Sequence, residues 1–234
     1  MPLERRSRLP LLAVCVVWLT ACNYSANEDI RVAEGTNHSG SATTINGNVK
    51  VEKDADARQS SFRTVNGNVV VEDGARVSDC ATVNGSMDIG DRSEAGDLRM
   101  VNGDLTVGRN SMIEGHIQLV NGSVRLGPGS TVQGNVGTVN GLIEMHKSRV
   151  DGDITNTSGG MLIMDGSEVA GDLIVKQAGD DRHSKPPRIV VGPGSRIRGE
   201  LVFERPVELY VHDTAEIGPV SGAEVTRYSG GEPG

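Results

Sequence analysis

The sequence predicts an all-β fold, a single-stranded parallel β-helix (solenoid) of about ten coils with an 18–20-residue period. Three observations predict it. First, an Asn-Gly pair follows an apolar residue six times: "INGNV" at Ile45, "VNGNV" at Val65, "VNGSM" at Val83, "VNGDL" at Val101, "VNGSV" at Val120 and "VNGLI" at Val139. The asparagines Asn46, Asn66, Asn84, Asn102, Asn121 and Asn140 stand 20, 18, 18, 19 and 19 residues apart, which is an internal repeat. Second, the residues two and four places after each glycine are apolar: Val49 and Val51, Val69 and Val71, Met87 and Ile89, Leu105 and Val107, Val124 and Leu126, Ile143 and Met145. Third, 31 of 234 residues are Gly, aromatics are 3%, and the repeats show no apolar spacing of the helical kind. Short strands separated by tight corners suit that composition.

The chain opens on a positive stretch, "MPLERRSR", followed by the apolar run "LPLLAVCVVWL" and then "LTAC". The apolar run is short for a bilayer span. It resembles a bacterial lipoprotein signal, cut before Cys22, whose thiol is then acylated. Residues 1–21 are therefore expected to be signal peptide, and Asn23 in the next position resembles the sorting pattern for the outer membrane of a Gram-negative envelope. The resemblance implies a lipid anchor facing the periplasm. Several acyl chains on one residue give stable attachment, where one chain binds marginally. Residues 22–28 read as a lipidated tether.

Asn-Gly flanked by apolar residues is the strongest short-range hairpin signal, so a β-meander with turns about nine residues apart is the competing architecture. A meander has no reason to place Asn at one phase six times. Parallel coils do, because successive coils lie ~4.8 Å apart in the hydrogen-bonding direction. Equivalent asparagines then stack, and their amides bond in a structural ladder, while the glycine beside each tolerates a corner with φ > 0. Asp104, between Asn102 and Val107, reads as an outward position without a bonding role.

The two-apolar signature extends backward to Ile30 and Val32 and forward to Leu162 and Met164, Ile189 and Val191, and Leu209 and Val211. The register around "NTSGGML" is open by one residue, since either Gly159 or Gly160 can take the glycine phase. A second half-repeat recurs as "GPGSTVQGNV", "MDGSEVAGDL" and "GPGSRIRGEL": a corner, a small residue, an apolar residue, x-Gly-x and another apolar residue. The solenoid is expected over 29–220. The one long gap contains "KQAGDDRHSKPP" and predicts a protruding loop at 176–187. Residues 221–234, rich in Gly and polar residues, read as a disordered tail.

The V-N-G-x-V pattern with V-x-G-x-[IVL] between copies, over roughly 30–215, resembles the short-coil solenoids of bactofilins and of putative-adhesin repeat domains in bacterial envelopes. The bactofilin resemblance implies a right-handed helix that polymerises end to end. Most bactofilins are cytoplasmic, and in that respect the lipoprotein signal departs from the pattern.

Catalytic chemistry finds little footing. His38, His116, His146, His183 and His212 share no phase, and HExxH, GxSxG, CxxC and P-loop motifs are absent. Asp180, Asp181, Arg182, His183 and Lys185 gather in the loop and read as a solvated cluster. Asp97, Asp153 and Asp172, with Glu200 at a related phase, resemble the acidic rows of β-helix polysaccharide lyases, but an aromatic sugar platform is missing. Hexapeptide acyltransferases need an apolar residue every six positions, which the steps here break. Cys80, the one thiol left after Cys15 and Cys22, falls at the phase of Ile117 and Val136, a buried position. With net charge −8 and no basic stripe, nucleic acid is not an expected partner. No cofactor, metal or catalytic residue is assigned. The leading expectation is a non-enzymatic cell-envelope lipoprotein with a structural or assembly role and self-association through coil ends. The alternative is a module that presents a solenoid face to glycan or protein, with a polysaccharide-active enzyme third.

Overall fold

The computed structural model describes residues 23–177, 185–231 and 233. Among the described residues are 32 β-strands and no helix. The strands form three sheets of eleven, eleven and ten, in which each strand neighbours the third strand before and after it in the chain. Pairing is parallel throughout, with about ten turns of the chain stacked one on another. The first sheet starts with β1 (Asn23–Ser25), the second with β2 (Ile30–Val32) and the third with β3 (Asn37–Ser39). Each coil therefore visits three faces and turns three corners.

The Asn-Gly pairs form the corner between the first and second sheets. The Asn66 N–H donates to Ile45 O one coil below at 2.6 Å, and the Gly67 N–H to Asn84 O one coil above at 3.0 Å. These backbone groups are used between coils, which a hairpin turn would forbid. Register follows the repeat: Phe62, Cys80, Leu98, Ile117 and Val136 stand in one column, and all are buried. The column Val49, Val69, Met87, Leu105, Val124 and Ile143, with its companion two residues on, is buried as well. Both phenylalanines, Phe62 and Phe203, lie inside.

Glycine at the corner has a stronger reason than φ. A Cβ on Gly103 would lie 2.1 Å from Gly85 O, and one on Gly122 would lie 1.8 Å from Gly103 O. Each corner glycine sits on the carbonyl of the one below, so only a residue without a side chain lets the coils close to sheet spacing. Gly47 and Gly67 belong to the same column, and neither has positive φ.

Four expectations need correction. Gly159 takes the glycine phase, its missing Cβ aimed at Gly141 O, so Met161 and Ile163 point inward and pair with Ile143 and Met145; Leu162 and Met164 face out. The tether has no slack, because β1 already pairs with β4 (Ala42–Thr44). The disordered tail is also overturned in its first part. β31 (Val220–Ser221) and β32 (Val225–Tyr228) add to the first and second sheets, satisfying the backbone edge left by the coil before. Asp104, finally, is a bonding residue, as shown below. Of the protruding loop, 178–184 lie outside the described residues, as do the signal peptide and Cys22.

Candidate functional site

The repeated polar side chains stand in columns that run along the solenoid. At the first corner Asn46 Nδ2 donates to Asn27 Oδ1 at 2.8 Å, and Asn66, Asn84, Asn102, Asn121 and Asn140 each donate to the asparagine one coil below at 2.8–2.9 Å. The six motif asparagines thus form one unbroken chain with Asn27 as its foot. From Asn46 to Asn121 each amide uses one N–H and its carbonyl oxygen in the ladder, and all six motif asparagines stay exposed.

Two residues after each asparagine a second column caps backbone donors. Asp29 Oδ1 accepts from the Asn48 N–H at 2.7 Å, Asn48 Oδ1 from Asn68, Asn68 Oδ1 from Ser86, and Asp104 Oδ1 from the Ser123 N–H at 2.8 Å. From Asp29 to Ser123 the position is Asp, Asn or Ser, each a short side chain with an acceptor oxygen, and Leu142 ends the column.

The acidic row has the same use at the third corner. Asp79 accepts from the Asp97 N–H at 3.1 Å, Asp97 from His116 at 2.7 Å, His116 Nδ1 from Asn135 at 2.9 Å, Asn135 from Asp153, Asp153 from Asp172, and Asp172 from Glu200 at 2.7 Å. Asp97, Asp153 and Asp172 are thus drawn together as a structural ladder with one acceptor per coil. His116 belongs to it, which its sequence position did not reveal. Among the described residues no group of three His, Cys, Asp or Glu is placed to hold a metal ion.

Inside the first sheet Thr44, Thr64, Thr82 and Thr138 are buried and donate to the corner carbonyls of Glu28, Gly47, Gly67 and Gly122. Asn156 closes this column. It is fully buried, its Nδ2 donates to Gly141 O at 2.9 Å and Gly160 O at 3.1 Å, and its Oδ1 accepts from the Gly159 N–H at 2.9 Å.

Two further groups lie off the ladders. His146 sits on the second sheet between Glu144 Oε1 at 2.8 Å and Asp165 Oδ2 at 2.9 Å, and these carboxylates, Glu144 first, raise its pKa above the ordinary histidine value. His146 holds Glu144 below the ordinary carboxylate range against an upward push from burial, and Arg125 adds to the lowering. Cys80 is buried, and burial, with the nearby Asp79, pushes its thiol up to about 12. A thiol so protonated is packing material rather than a nucleophile. His38 bonds Ser60 Oγ at 2.8 Å, and burial lowers its pKa. His183, Asp180, Asp181 and Arg182 lie outside the described residues, so the loop cluster is not assembled here.

Two hollows occur toward the C-terminus. One of about 840 Å³ opens where the first corner lengthens, lined by Arg205, Glu208, Tyr210 and Thr226 among others. The other, about 400 Å³, is an apolar recess of Leu142, Leu162, Met164 and Val190 on the second sheet, and Pro233 from the C-terminus lies against it. Arg188 donates to Pro233 O and stacks over the Tyr210 ring at 5.0 Å. No family model matches the chain, and neither a curated protein nor a solved structure matches it.

Proposed function

We propose that the chain is a non-enzymatic lipoprotein of the Gram-negative cell envelope, anchored in the outer membrane through an acylated Cys22, with a bactofilin-like solenoid body in a structural or assembly role on the periplasmic side. The observation that carries the reading is where the stack begins. Strand β1 opens at Asn23, the residue after Cys22, and Asn27 is already the foot of the amide ladder. A lipid on Cys22 would hold the first coil directly on the membrane surface, with the stack growing away from it. About ten coils at ~4.8 Å give a rod on the order of 50 Å. A structural role also agrees with the use of the repeated polar groups, which are engaged in bonding one coil to the next.

Membrane fractionation and intact mass of a Cys22→Ser chain test the anchor. The parent is expected in the membrane fraction with the mass of an acylated N-terminal cysteine, and the variant without acyl mass and released from the membrane. A variant as firmly membrane-bound as the parent overturns the reading.

A further inference from the structure

Five of the seven exposed large apolar side chains among the described residues fall in one row, and Met112 and Val225 lie apart from it. Val65, Val83, Val101, Val120 and Val139 are each 37–41% exposed, and they are the residues preceding the ladder asparagines in five consecutive coils. The ladder strands, β7 (Phe62–Asn66), β10 (Cys80–Asn84), β13 (Leu98–Asn102), β16 (Ile117–Asn121) and β19 (Val136–Asn140), are in register, so the valines form one straight row on the outer face of the first sheet. Strand propensity does not explain the row. Threonine is β-branched too and suits a wet face better, and it stands at this phase one coil later, as Thr157.

The rest of this face is as unusual. The outward positions beside the valines are Arg63, Ala81, Arg99, Gln118 and Gly137, followed by Thr155 in the next coil, with no carboxylate among them in a chain of net charge −8. Arg99 is paired at 2.7 Å with Asp97 at the corner. Two such faces can approach without the repulsion that two acidic surfaces would meet.

We propose that this face is a self-association surface, on which a second copy of the chain packs face to face with its solenoid axis parallel, as two copies anchored through Cys22 in one membrane stand. This rests on the assembly role above and names its partner and surface. The match of period favours a second copy: its coils come at the same ~4.8 Å pitch, so each valine row meets the outward column beside the other copy's valines coil by coil along its length. The area agrees, since strands of three to five residues over the height of the stack offer a face of about 700 Å² per copy, or about 1,400 Å² for the pair, within the range of specific interfaces. A two-fold axis along the stack then sets Val83 against Ala81 of the second copy, Val120 against its Gln118 and Val139 against its Gly137, and lays Val65 and Val101 along the apolar stems of its Arg63 and Arg99.

Sedimentation equilibrium of the purified full chain in density-matched detergent tests this. The parent is expected to dimerise, and Val101→Asp and Val120→Asp to raise the dimer dissociation constant at least tenfold. Because these positions are exposed, both variants should keep the parent's circular dichroism and melting midpoint, and Val101→Thr should lie between. A Gln118→Cys, Val120→Cys double variant should form an intermolecular disulfide. A parent monomeric at every concentration overturns both this inference and the assembly role. Aspartate variants that dimerise like the parent, while Val225→Lys on the last strand disperses the chain, overturn the face and leave assembly through coil ends. A monomeric parent whose binding to glycan or to vesicles is lost in Val101→Asp overturns the second copy as occupant.

Discussion

The stretch from Asn27 to Asn140 and the stretch from Asn156 to Tyr228 use the same three sheets and different corners. In the first, the corner is Asn-Gly, glycine lies on glycine, and the amide ladder is continuous. In the second, the ladder has ended. The phase of Gly103 is held by Pro206, which is exposed, and the corner there has lengthened enough to open a hollow. The inner column changes in step. It is largely threonine below, where hydroxyls reach the tight corner carbonyls, and becomes Val175 and Phe203 above. The comparison teaches that the parallel sheets and the apolar core define the solenoid. The Asn-Gly ladder is one way to turn a corner in the fewest residues, and it needs both a glycine to let coils touch and a polar column to satisfy what the tight corner exposes. Asn156 marks the border, a buried amide that closes the last glycine corner.

The largest effect that separates the two stretches is steric. Gly103→Ala drives a methyl onto backbone at 2.1 Å and forces coils apart, so a loss of about 3 kcal/mol or more is expected, by analogy with overpacking in a close-packed interior. Pro206→Ala, at the same phase in the other stretch, should stay within about 0.5 kcal/mol. Urea denaturation of both variants checks this; equal losses would remove the distinction between the corners.

Next in size is the border residue. Asn156→Ala leaves Gly141 O, Gly160 O and the Gly159 N–H without their side-chain partner in the interior, for an expected cost of about 1–3 kcal/mol. Asn102→Ala and Asp104→Ala break bonds that water can replace, so each should cost no more than about 1 kcal/mol. Chemical melts that rank Asn102→Ala above Asn156→Ala would show that the exposed ladder, rather than the buried cap, holds the corners.

The smallest effect is pH-dependent and lies where the two stretches meet on the second sheet. Glu144 and Asp165 raise the pKa of His146, so its pairing contributes fully below the unfolded value of about 6.5 and is lost as pH rises through the raised folded value. Glu144 has a lowered pKa, so its share is present above its ordinary value and is lost as pH falls through the depressed one. Between these limits His146→Gln should cost up to about 1 kcal/mol, as expected of a partly exposed pair, and the cost should shrink toward pH 9. A difference between parent and variant that stays constant from pH 5.5 to 9 would mean the pairing does not depend on the imidazolium.

Much of this was legible in residue spacing. Six asparagines at one phase with apolar residues at plus three and plus five from each specify stacked coils, because the side-chain period of a strand and the repeat length together fix which residues point inward. Burial of Cys80 followed from its phase. Where the phase was open, at Gly159 and Gly160, the repeat alone could not choose, since both are glycine and only contact with Gly141 O decides between them, and the inward pair followed forward as Leu162 and Met164 was one residue off. The last coil was missed for a related reason. "SGAEVTRYSGG" has the composition of a tail, and its strands exist because the preceding coil presents an unpaired edge.

The sequence by itself determined the period, the inward columns and the asparagine row, all of which are local patterns repeated in register. Only the tertiary structure decided what the other repeated polar residues do. Asp104, His116 and Asp172 look alike in no alignment of their own repeats, yet each accepts a backbone N–H from the coil above. Such a bond joins residues 18 to 28 positions apart and asks only for an acceptor atom at the right height. Many side chains supply one, so the constraint leaves no single letter in the sequence. The valine row is the converse case. Its letters are plain in every V-N-G, but whether they face the core or water depends on where the strand leaves the sheet for the corner, and that is set by the coils packed above and below.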